Sequence, residues 1–95
     1  MPTVFIPALL RPYSDGRARV TVAGVTLRQV FANLDAACPG IFARIVDTDD
    51  PTRPGGGRIR PEITVAVDGE LVTVGLLQPV AESSEVFLLP AISGG

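Results

Sequence analysis

Between Thr26 and Cys38 the apolar residues Leu27, Val30, Phe31, Leu34 and Cys38 recur in steps of three and four, the spacing that lines up side chains on one face of an α-helix. No other stretch carries so clear a helical period. A chain of 95 residues supports one domain with one core, so this amphipathic helix is expected to cover one face of a single sheet. Thr26 and Gln29 fit a capping box at its start, and Pro39-Gly40 ends it. The stretch IFARIV at 41–46 has room for one more helical turn.

The sheet is legible as alternation by two. TVFIP at 3–7 places Val4 and Ile6 on one face and Phe5 on the other. After the turn signal YSDG at 13–16, RARVTVAG sets Ala18, Val20 and Val22 against Arg17, Arg19 and Thr21, and the two runs form an antiparallel hairpin. Residues 47–60, DTDDPTRPGGGRIR, are polar and dense in Pro and Gly, which predicts a flexible loop. EITVAV at 62–67 is a strand with Ile63, Val65 and Val67 on its apolar face. Asp68-Gly69 joins it to ELVTV at 70–74 in a strong hairpin signal, and EVFLL at 85–89 is the last strand. The order is β-β-α-loop-β-β-β, an α+β domain with a mixed sheet of four or five strands under one main helix.

Absences narrow the chemistry. The chain has no histidine, one cysteine and eight basic residues, all of them arginine. An internal disulfide and Cys/His zinc or iron–sulfur sites are out of reach, as are Ser-His and Cys-His catalysis and lysine Schiff bases. A net charge of −2 provides no footprint for nucleic acid or an anionic membrane. No apolar run approaches a bilayer span, and the first residues lack a signal peptide's basic start, so the expectation is a soluble, cytoplasmic protein. The candidate sites read blandly. PGGGR at 54–58 resembles an anion cradle, but it matches neither phosphate-binding fingerprint. Asp47, Asp49 and Asp50 are interrupted by Pro51 and lack a calcium loop's glycine and glutamate. Cys38, on the apolar helix stripe, reads as a buried small hydrophobe.

The last strand is more telling. If Val86 and Leu88 face the core, Phe87 and Leu89 face the other way, and Phe5 joins them if the first strand lies beside the last. One helix covers one face only, so these apolar residues are expected to form an exposed partner surface. Beyond them the chain reads PAISGG, with Gly94 and Gly95 at its end. Two glycines add nothing to a core, because glycine gives up the most backbone entropy on ordering. A flexible tail is expected over 91–95.

The element order, the LLP strand end and PAISGG resemble the ubiquitin-like sulfur carriers of the ThiS/MoaD family, which have the β-grasp fold. LRP at 10–12, PGI after the helix and the long loop before EITVAVDGE most resemble the carriers serving cysteine biosynthesis. Ser83-Ser84 departs from the Asp-Gly turn usual before the last strand. The resemblance implies a carrier, not an enzyme, with no bound cofactor. An E1-like adenylating enzyme of the MoeB/ThiF type would consume MgATP to adenylate Gly95, while Ile92, Ser93 and Gly94 thread into it. Sulfur would replace AMP, leaving a thiocarboxylate for a sulfur-accepting synthase, with a sulfurtransferase or rhodanese as a further partner. The acceptor pathway (cysteine, molybdopterin, thiamin or thiosugar) stays open. So do two alternatives: a ubiquitin-like protein modifier, or a β-grasp interaction module without tail chemistry.

Overall fold

The computed structural model describes residues 1–47 and 57–90. The strands β1 (Thr3–Phe5), β2 (Arg19–Thr21), β3 (Val46–Asp47), β4 (Arg58–Ile59), β5 (Ile63–Val67), β6 (Glu70–Leu71) and β7 (Glu85–Pro90) frame two α-helices, α1 (Leu27–Ala37) and α2 (Phe42–Ile45). Five strands make the main sheet in the order β2-β1-β7-β5-β6, and β3 and β4 form a separate ladder. β1 pairs antiparallel with β2, and β7 antiparallel with β5. The central β1–β7 pair is parallel, which makes the sheet mixed.

Helix α1 forms where the period predicts. Thr26 accepts a hydrogen bond on its side chain from the Gln29 amide at 3.4 Å, and the Gln29 side chain accepts one from the Val25 amide at 3.0 Å. Both otherwise unpaired donors at the helix entry are thereby satisfied. Leu27, Val30, Phe31, Leu34 and Cys38 are fully buried and pack with Val4, Val20, Val65, Val67, Val86 and Leu88 from the inner face of the sheet. Cys38 is free and buried, as a small hydrophobe on the stripe should be.

Turn chemistry fixes the corners. Asp68 and Gly69 both take positive φ, 52° and 86°, the conformation a tight β5–β6 hairpin needs. The Asp68 carboxylate also accepts from the Glu85 amide and from the buried Ser84 hydroxyl, each at 2.9 Å. Ser84 in turn accepts from the Ala81 amide at 2.8 Å. A serine side chain and a neighbouring carboxylate thus hold the turn into β7.

Four expectations are corrected. The loop placed at 47–60 is narrower, because Asp47 pairs with Arg58 and Val46 with Ile59, and Ile59 packs against the core. Residues 48–56 lie outside the described residues. The strand expected over ELVTV shrinks to Glu70–Leu71, since Gly75 at φ 65° turns the chain into a 3-10 turn over Gly75–Leu77 that buries Leu76. Ala18 is exposed instead of facing inward with Val20 and Val22, because it precedes the strand. The connection between β1 and β2, read only as a turn, also holds a 3-10 helix over Ala8–Ser14 that buries Leu10.

Candidate functional site: the outer sheet face and the end of β7

Strand register shows which side chains share the uncovered face. Phe5 is paired with Arg19 on one side and Phe87 on the other. Phe87 is paired with Ala66, and Ala66 with Leu71. Directly paired residues point the same way, so Arg19, Phe5, Phe87, Ala66 and Leu71 form one row across all five strands. Leu89, two residues beyond Phe87, belongs to the next row toward the end of β7, opposite Thr64.

The centre of the row is a pair of stacked rings. Phe5 and Phe87 have centroids 4.5 Å apart and planes within 7° of parallel, an offset stack of the kind aromatic quadrupoles favour. Both rings are half-buried. Leu89 is 45% exposed and Leu71 66%. No described helix covers these residues, while Val86 and Leu88 on the other face are buried at 0% and 2%. The structure therefore brings Phe5, Phe87 and Leu89 together on one open apolar face.

That face leads toward the tail. β7 ends at Pro90, opposite Ile63 at the start of β5, and Leu89 is the last outward residue before it. Ile92, Ser93, Gly94 and Gly95 lie outside the described residues. Two members of the stripe, Ala66 and Leu71, were missed in the sequence. Alternation in EITVAV already puts Ala66 outward, and the two-residue Asp-Gly turn sets Leu71 beside it, so the signal was present. Among the described residues no group of three or more Cys, Asp or Glu side chains is placed to hold a metal ion, and no helix is long and apolar enough to cross a membrane. An aromatic stack and aliphatic side chains beside a strand end, with Arg19 at one end of the row and Thr64 opposite Leu89, give this face the capacity to bind an apolar partner surface.

A parallel central pair, antiparallel flanks and one main helix across the inner face define a ubiquitin-like β-grasp protein. The ThiS family profile matches residues 4–95, and the chain belongs to that family. It is 35% identical to the sulfur carrier protein CysO of Mycobacterium tuberculosis, over 98% of this chain and 97% of the relative. Two solved structures are similar along their whole length. CysO in the Amycolatopsis orientalis BexX/CysO complex superposes with a TM-score of 0.85 at 29% identity, covering 100% of both chains. The small archaeal modifier protein 1 (SAMP1) of Haloferax volcanii superposes with a TM-score of 0.70 at 27% identity, covering 99% of this chain and 98% of that one.

Proposed function

We propose that this protein is a sulfur carrier, in which the Gly95 carboxylate is activated by a partner enzyme and leaves as a thiocarboxylate, with cysteine biosynthesis as the favoured pathway. The observation that carries the reading is the match to a sulfur carrier along nearly the full length of both chains. The chemistry follows from the carboxylate's inertness. An ionised carboxylate resists substitution, so one of its oxygens first attacks the α-phosphorus of ATP and pyrophosphate departs. Sulfide then attacks the acyl carbon, the bond to AMP breaks, and a thiocarboxylate and AMP result. Two modest barriers replace one high one. MgATP is consumed by the partner, an E1-like adenylating enzyme, and a synthase accepts the sulfur.

In this reading the open face does the docking. Phe5, Phe87 and Leu89 offer an apolar patch beside the strand end from which Ile92, Ser93 and Gly94 would enter the partner. Aromatic residues at the centre of such a patch carry a large share of association energy. The chain itself is inferred to be a substrate and not a catalyst. Incubation with an adenylating enzyme of this class, MgATP and sulfide, followed by intact mass spectrometry, is the test. One oxygen exchanged for one sulfur at Gly95 is expected; an unchanged mass, with an enzyme shown to be active on another carrier, refutes the reading.

The likeness to a small archaeal modifier protein favours a second reading, in which activated Gly95 acylates lysines of other proteins. Isopeptide-linked adducts in cell extract would support it. The absence of lysine here means that such conjugates could not extend into chains through lysine side chains of this protein.

A further inference from the structure

Charge is distributed unevenly along β7. Asp68 lies in the β5–β6 turn with Glu70 beside it, and Glu82 and Glu85 precede and open β7, so four carboxylates stand at the end where β7 begins, one of them, Glu82, 3.8 Å from the Met1 ammonium. At the opposite end, where β7 finishes, Tyr13, Arg44, Arg60, Glu62 and Ile63 line a cleft of about 420 Å³. Ile63 belongs to this lining and is also the strand partner of Pro90. The cleft thus sits at the root of the tail.

Its two guanidinium groups are held in place by their inner nitrogens. Arg44 donates from Nε to the Tyr13 hydroxyl at 2.7 Å, with its guanidinium carbon 5.6 Å from the centroid of the Tyr13 ring. Arg60 donates from Nε to the Ala43 carbonyl at 2.7 Å. Among the described residues neither forms an ion pair, although Glu62 lines the same cleft. Each group retains outer N–H donors in a planar fork suited to a carboxylate. Because the stems are already fixed, less side-chain entropy is lost when an anion arrives.

We propose that this cleft receives carboxylate side chains from the rim of the tail-binding channel on the activating enzyme, an inference that rests on the sulfur-carrier reading. Tail length selects this occupant over the nucleotide. Five residues separate Pro90 from the end of Gly95, a fully extended reach of about 17 Å. With the terminal carboxylate at the α-phosphate and the tail extended, Arg44 and Arg60 stay at the channel mouth, where they meet protein and not ATP. The carboxylates at the far end of β7 repel the same acidic rim, so the asymmetry turns the tail end toward the partner during approach.

The test is steady-state adenylation with full-length carrier and its activating enzyme, between about 25 mM and about 300 mM NaCl, a range across which screening lengths shorten markedly. Arg44→Gln with Arg60→Gln should raise the KM for the carrier roughly tenfold at low salt, leave kcat unchanged, and flatten the rise of KM with salt. Arg44→Gln alone leaves the Arg60 bond to Ala43 intact and should give a smaller rise of the same kind. Wild-type KM in the double variant, or a fall confined to kcat, overturns the inference while leaving the sulfur-carrier reading in place. A wild-type chain that the enzyme does not adenylate overturns both.

Discussion

Removing the Phe87 ring separates its contribution to the fold from its contribution to docking. A fully buried Phe→Ala change costs about 3–5 kcal/mol. Phe87 is half-buried and stacked on Phe5 at 4.5 Å, and such a stack contributes about 0.5–1.5 kcal/mol beyond area burial. Partial loss of apolar burial adds about 1 kcal/mol, so Phe87→Ala should destabilise the domain by about 1.5–2.5 kcal/mol. For a domain of this size that lowers Tm by roughly 6–20 °C without unfolding it at assay temperature. A cycle with Phe5→Ala should return a coupling energy near 1 kcal/mol, because the two rings are each other's stacking partner.

Docking should respond more strongly than stability to Phe87→Arg. The aliphatic stem of arginine can lie along the ring of Phe5 while its charge reaches water, so the fold persists. The apolar centre of the patch is lost, and kcat/KM for adenylation should fall about 30-fold, corresponding to about 2 kcal/mol. Urea unfolding reports the first quantity and pyrophosphate release the second. A loss of 4 kcal/mol or more for Phe87→Ala would show that the ring is core. Unchanged kcat/KM in a folded Phe87→Arg variant would remove this face from the docking surface.

Three further outcomes follow from single residues. Ser84→Ala removes the hydroxyl shared by Asp68 and the Ala81 amide and should cost about 1–2 kcal/mol in chemical denaturation, toward the low end because Asp68 is exposed and water can replace one bond. Gly24→Ala should cost at least about 2 kcal/mol, since a Cβ there would lie 2.7 Å from the Val30 side chain and 2.8 Å from its backbone nitrogen at a φ of 152°; a Tm equal to wild type would show that the entry to α1 relaxes freely. One residue added after Gly95 should leave Tm unchanged and abolish thiocarboxylate formation in the mass assay, because even about 1 Å of misplacement can cost 100-fold in rate.

Much of this protein is written locally. The three- and four-residue steps from Leu27 to Cys38, the Thr26–Gln29 cap and the Asp68-Gly69 turn each depend on residues a few positions apart. They therefore follow from short-range sterics and hydrogen bonding. Alternation in EVFLL likewise assigns Phe87 and Leu89 to a face opposite Val86 and Leu88, and the burial of the latter pair agrees. The PAISGG ending and the element order already carried the resemblance to the sulfur carriers, and the candidate site was legible to that extent.

Contacts between residues distant in sequence were decided only in three dimensions. Phe5 and Phe87 stack because β1 and β7 pair in parallel with that register, and nothing local to either strand specifies its neighbour. Asp47 and Arg58, each within a polar stretch that reads as loop, become strand residues by pairing with each other. Tyr13, Arg44 and Arg60 meet at one cleft because a 3-10 helix, α2 and the approach to β5 converge at the end of β7. In sequence they are isolated polar residues with ordinary solvated roles. A side chain's own neighbours set its local conformation, whereas its chemical company depends on the register and packing of the whole sheet.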